Sequence, residues 1–130
     1  ALTNPEKRII CIDGDGSLIM HMGSASLAGQ LKMSNFYHIL INNFVHESVG
    51  GQATASKFID YSMISKGLGY KNVFSTNNEN SFNSLMEENL SKEGPNFFQI
   101  KIKPGSRADL GRPDKTPIES KVHFMKLLKN

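Results

Sequence analysis

Two short apolar runs, Arg8 to Asp13 and His38 to Ile41, each stop abruptly at small polar residues. Gly14-Asp15-Gly16-Ser17 follows the first run and Asn42-Asn43 follows the second. Apolar runs of this length, bounded by turn formers and separated by a helical stretch, read as buried strands of a parallel sheet. The same alternation continues along the chain. Residues 1–7 read as a helix end and an Asn4-Pro5 turn. Leu18 to Met33 reads as a helix whose small residues, Gly23 to Gly29, permit close approach to a neighbour. Phe58 to Leu68 reads as a helix with Gly69 as its left-handed cap. Lys71 to Thr76 is a third strand. Asn80 to Lys92 is an amphipathic helix burying Phe82, Leu85, Met86 and Leu90. Asn96 to Ile102 is a fourth strand, Gly105 to Pro117 a loop, and a final helix runs from Pro117 through Leu128. Strand and helix in alternation predict an α/β fold, a three-layer parallel sheet with helices on both faces.

In such a sheet, ligands bind outside the carboxyl ends of the strands. The Gly14–Ser17 turn and Asn42-Asn43 fall at that edge. A carboxylate and an amide oxygen beside a glycine turn suit a hard cation such as Mg²⁺, which takes a few protein oxygens plus phosphate oxygens. The turn opens a helix, whose free N–H groups face an anion. Asp15 could equally cap that helix; the paired asparagines at the neighbouring strand end favour metal binding. A dinucleotide site fails on residue identity, because the third glycine of its fingerprint would fall at Ile19 and the second strand ends in Asn rather than an acid. A Walker loop fails because no Gly-Lys-Ser/Thr occurs.

Composition narrows the class further. At 130 residues the chain is one domain with room for a core. Its net charge of +3 suits anionic small molecules, and the absence of aromatic-basic interleaving argues against nucleic acid as a partner. Nothing is apolar for long enough to span a bilayer, and no signal peptide precedes the first strand, so a cytoplasmic protein is expected, without membrane contact. Cys11 is the single cysteine; placed in a buried strand, it reads as inert. His21, His38 and the methionines read as packing residues.

The Gly14-Asp15-Gly16-Ser17 and Asn42-Asn43 pair resembles the motif of thiamine-diphosphate enzymes. The segments Asn42 to Thr54 and Gly105 to Pro113 are similar to the phosphonopyruvate decarboxylase family, of which sulfopyruvate decarboxylase is the near relative. The resemblance covers essentially the whole chain, but only the C-terminal part of that family's subunit. It implies a thiamine-diphosphate-binding fold, with residues 1–130 as the C-terminal diphosphate domain, in partial form, lacking upstream elements and the pyrimidine domain. It implies thiamine diphosphate and Mg²⁺ as cofactors, and conversion of 3-phosphonopyruvate to phosphonoacetaldehyde and CO₂. The alternatives are sulfopyruvate or another 2-oxo acid as substrate, or a noncatalytic binding or assembly module of the same fold.

Residue by residue, the resemblance implies Asp15 and Asn43 as metal ligands through side-chain oxygens and Val45 through its carbonyl. Gly14, Asp15, Gly16, Ser17 and Asn43 hold the cofactor, with Gly16 and Ser17 offering N–H groups to the diphosphate. His46 and Glu47 follow the ligand segment and are the candidates for proton transfer. Simpler keto-acid decarboxylases place an acid slightly later, where this chain has Ser48-Val49. Arg107 and Arg112 could grip a phosphonate or sulfonate, or pair with Asp109 to order their loop. The resemblance also implies a pyrimidine-binding domain or subunit as partner, a homo-oligomer of at least two copies, and no turnover by this chain alone.

Overall fold

A computed structural model describes residues 1–129 of the chain. Four strands form one parallel sheet in the order β1-β2-β6-β5: β1 (Ile9–Gly14), β2 (Phe36–Asn42), β5 (Asn72–Thr76) and β6 (Asn96–Lys101). A two-residue antiparallel pair, β3 (Val45–His46) with β4 (Gln52–Ala53), stands apart from the sheet. The helices are α1 (Asp15–Met20), α2 (Met22–Gln30), α3 (Tyr61–Gly67), α4 (Glu79–Asn89) and α5 (Pro117–Lys129).

The expected three layers are present. On one face Leu18, Ala28, Tyr61, Tyr70 and Phe97 pack together with Leu40. On the other, Tyr37, Ile39 and Phe98 pack beneath Phe82 and Met86 of α4 and Leu90 at its C-terminal cap. Leu85, expected on that buried face, is only half-buried and lies outside the cluster. Alternation along β2 and β6 produces both cores, since successive side chains point to opposite faces.

Several boundaries differ from the sequence reading. Residues 1–7 form turns with no helix. The helix expected over Leu18 to Met33 starts at Asp15 and breaks at His21, whose φ of −125° is not helical. Phe58 lies outside α3 and is almost fully exposed, because Asp60 caps the helix later by accepting from the Met63 N–H. Gly69 does adopt a positive φ of 94° just after α3, as a left-handed cap requires. There its backbone backs onto Gly29 of α2, so closely that a Cβ on Gly29 would overlap the Leu68 carbonyl. The small residues of α2 thus serve helix-to-loop contact.

Among the described residues β1 pairs only with β2, and its Ile10 and Ile12 are exposed. Cys11 is therefore half-buried, where the sequence reading had it enclosed in the core. Its thiol points to Asp13 Oδ2 at 3.7 Å, and burial followed by the Asp13 charge raises its pKa, so it stays a thiol.

Directly opposite Cys11 in the register lies His38, which is buried and polar. His38 Nε2 contacts Asp13 Oδ2 at 2.9 Å and Nδ1 contacts the Tyr70 hydroxyl at 2.8 Å. Burial lowers the His38 pKa from 6.5, and the hydrogen bond and charge of Asp13 oppose this without reversing it. The contact with Asp13 is therefore a hydrogen bond from a neutral imidazole, and Tyr70, its own pKa raised by burial, donates to Nδ1. Unfolding frees His38 to take up a proton below its ordinary pKa, so the unfolded chain binds more protons there. The His38 contribution to stability is accordingly full above pH 6.5 and is lost as pH falls through the lowered folded value. Urea denaturation of wild type and His38→Gln at stepped pH checks this: the variant loses the part of the acid slope that begins near 6.5.

Candidate functional site

In the β1–β2 register Gly14 stands opposite Ile41, so the two strands end side by side. Asp15 leaves the tip of β1 as Asn43 leaves the tip of β2. The sheet therefore delivers both to one edge. They line a single cavity of about 860 Å³ with Gly14, Gly16, Ser17, Val45, His46 and Glu47. The residues expected as metal ligands, cofactor contacts and proton-transfer groups all lie there.

Asp15 is the first residue of α1 and only 1% exposed. Gly14 occupies the N-cap and offers no side chain to the helix, which leaves the N–H groups of the first turn open to a ligand. The Asp15 carboxylate does not cap this helix. Its Oδ2 instead accepts hydrogen bonds from Thr54 Oγ1 and Ser56 Oγ, both at 2.5 Å, and Ser56 Oγ lies 2.8 Å from the Tyr61 hydroxyl. No cationic side chain pairs with Asp15 among the described residues.

Asn43 is fixed at both ends of its amide. Oδ1 accepts from the Val45 N–H at 3.2 Å and Nδ2 donates to Glu47 Oε2 at 2.9 Å. Glu47 thereby sets the amide so that its oxygen, not its nitrogen, is available as a ligand. Asn42 is turned inward and buried, its Oδ1 accepting from the Phe44 N–H at 3.1 Å. Phe44 takes a φ of 65°, uncommon for a side chain of its size, where the chain reverses from β2 into β3. The His46 ring lies over Gly16, so that a Cβ there would overlap its Nδ1. Gly16 is thus required for the close approach of loop and helix.

A buried carboxylate without a cation and an oriented amide oxygen in one cavity offer a set of oxygen donors only. That set fits Mg²⁺, which binds a few protein oxygens and completes its shell with phosphate and water. Open N–H groups at the start of α1 fit the phosphates.

Thr54, Ser56 and Tyr61 escaped the sequence reading. They lie 39, 41 and 46 positions after Asp15, and no local periodicity announces that their hydroxyls return to it. Arg107 and Arg112 are not in the cavity wall. Arg107 Nε meets Asp109 Oδ1 at 3.3 Å on the surface, the loop-ordering alternative, and an exposed pair of this kind contributes little.

Fold and site together define a domain that binds a diphosphate through a metal ion. The chain belongs to the thiamine pyrophosphate enzymes, as their C-terminal TPP binding domain, which residues 1–100 match. The cofactor of that family is thiamine diphosphate, bound with Mg²⁺. The chain is 34% identical over 124 residues to a phosphonopyruvate decarboxylase of Streptomyces viridochromogenes, a match covering 95% of this chain and 31% of the relative. It is 30% identical over 101 residues to the sulfopyruvate decarboxylase subunit beta of Methanothermobacter thermautotrophicus, covering 78% and 52% respectively. In fold it is similar to a Mycobacterium smegmatis protein described as thiamin diphosphate-dependent, with a TM-score of 0.60 at 21% identity, over 74% of this chain and 18% of the other. The chain thus spans about a third of the length of the Streptomyces relative. No helix among the described residues is long and apolar enough to cross a membrane.

Proposed function

We propose that this chain is the diphosphate- and Mg²⁺-binding domain of a phosphonopyruvate decarboxylase, which cleaves 3-phosphonopyruvate to phosphonoacetaldehyde and CO₂. The observation that carries the reading is the single cavity at the β1 and β2 tips, which unites Asp15, Asn43 and Val45 with the open first turn of α1. The 34% identity to the Streptomyces enzyme supports the choice of substrate.

In this reading Asp15, Asn43 and the Val45 carbonyl hold the ion, while the Gly16 and Ser17 N–H groups bind phosphate oxygens. Thiamine diphosphate, when bound, supplies the electron sink that lets the carboxylate carbon depart as CO₂. Glu47 orients Asn43 through the bond to Nδ2. His46, packed over Gly16 in the same cavity, is the group placed to move a proton. A pyrimidine-binding domain, in the same polypeptide or in a partner subunit, completes the site, and the assembly contains at least two copies. The exposed apolar rim of the cavity (Ile12, Met20 and Val49) supports a protein surface closing over it. The reading places the protein in the cytoplasm, where its lone thiol stays reduced.

Sulfopyruvate is the second reading, supported by the similarity to a sulfopyruvate decarboxylase subunit beta. Phosphonate and sulfonate are both tetrahedral oxyanions, so the wall of this domain separates them poorly. CO₂ release from a panel of phosphonopyruvate, sulfopyruvate and pyruvate, with the complete assembly, decides. Phosphonopyruvate is expected to give the highest kcat/KM and this chain alone no turnover. A higher value for either competitor, or release by the isolated chain, overturns the proposal.

A further inference from the structure

Asp15 presents two carboxylate oxygens, and the protein treats them very differently. Oδ2 receives both hydroxyls, from Thr54 and from Ser56, each at 2.5 Å. A carboxylate oxygen has about two lone-pair sites, so these two donors saturate it. Oδ1 receives neither. All four groups of the cluster are buried: Asp15, Thr54, Ser56 and Tyr61 are each no more than 6% exposed. Ser56 has one proton, which goes to Asp15; the contact at 2.8 Å between Ser56 Oγ and Tyr61 is therefore donated by the Tyr61 hydroxyl. The Ser56 N–H in turn bonds Thr54 Oγ1 at 3.2 Å, so the two hydroxyl donors brace each other.

From this geometry we infer that Thr54 and Ser56, backed by Tyr61, are positioning residues that hold Asp15 as a one-oxygen metal ligand. The inference rests on the reading of Asp15 as an Mg²⁺ ligand and adds what controls that ligand. Mg²⁺ requires near-octahedral geometry with carboxylates bound through a single oxygen, whereas Ca²⁺ accepts two-oxygen binding and a larger, looser shell. Two short bonds on Oδ2 deny the ion that second oxygen. They also fix the plane of the carboxylate, which would leave Oδ1 as the oxygen offered to an ion. Removing a hydroxyl returns a lone pair to Oδ2 and lets Asp15 swing toward two-oxygen binding. Groups that orient a metal ligand in this way typically change affinity by about 10- to 100-fold when lost.

The test is thiamine diphosphate binding by the complete assembly, titrated with Mg²⁺ and with Ca²⁺ and followed by calorimetry. Wild type, Ser56→Ala, Thr54→Val and Thr54→Ser are compared. Ser56→Ala and Thr54→Val are expected to weaken Mg²⁺-supported binding by about 10-fold or more and Ca²⁺-supported binding by much less, so the ratio of the two affinities moves toward Ca²⁺. Thr54→Ser keeps the hydroxyl and keeps the wild-type ratio. A fall of equal proportion with both ions means a merely structural role and overturns the inference, as does an unchanged Mg²⁺ affinity. A wild type that binds the cofactor without any divalent ion overturns the underlying reading of Asp15, a result distinct from either of these.

Discussion

Replacing Asp15 with Asn is expected to abolish Mg²⁺-linked binding of thiamine diphosphate, weakening it more than about 100-fold, because loss of a ligand exceeds the 10- to 100-fold effect of losing a group behind one. The physical cause is the loss of the one buried charge in the cavity that has no protein cation opposite it. The same substitution has a second, opposite signature. A carboxylate that is 1% exposed and held by hydroxyls alone is costly in the absence of an ion. Asp15→Asn is therefore expected to melt at or above the wild-type temperature when no metal is present. Adding Mg²⁺ and cofactor should raise only the wild type, by about 2.7 kcal/mol at a hundredfold excess over Kd. Thermal melts of both proteins, with and without ligands, measure this. Equal stabilisation of the two by Mg²⁺ and cofactor would remove Asp15 from the metal site.

Gly29→Ala is expected to destabilise the fold by about 3 kcal/mol, although Ala is intrinsically the better helix former by about 1 kcal/mol. The new methyl would enter the Leu68 carbonyl and come within 2.8 Å of the Gly69 Cα. These are backbone atoms, which cannot step aside as a flexible side chain does. Relief requires separating α2 from the end of α3, and both helices belong to the core that holds Leu18 and Tyr61. Gly23→Ala in the same helix is the control. Nothing lies within 4 Å of its added methyl, so it is expected to be neutral or to stabilise by up to about 1 kcal/mol. Chemical denaturation of the two variants separates packing from propensity. A Gly29→Ala protein as stable as wild type would mean that the α2–α3 approach is looser than the structure has it.

Much of the site was legible in the chain because its elements are local. Gly14 to Ser17 and Asn42 to Glu47 are continuous segments, each following an apolar run, and a parallel sheet necessarily carries its strand tips to one edge. The break at His21 and the late start of α3 at Tyr61, capped by Asp60, were not legible. Helical periodicity persists across a break when both halves bury the same side, and a cap is decided by a single side-chain bond. Cys11 is half-buried because β1 pairs with β2 alone among the described residues, and an apolar strand reads the same at a sheet's centre and at its edge.

By itself the sequence determined the alternating α/β architecture and, through the resemblance that its Gly14–Ser17 and Asn42-Asn43 segments carry, the cofactor and the residues proposed as the ion's oxygen donors. Tertiary structure alone decided how those donors are held. The Thr54 and Ser56 hydroxyls on Asp15, the Glu47 clamp on Asn43 and the His46 ring over Gly16 arise where the loop after β2 folds back onto α1. Such contacts depend on the path of the chain between segments, which residue spacing does not encode.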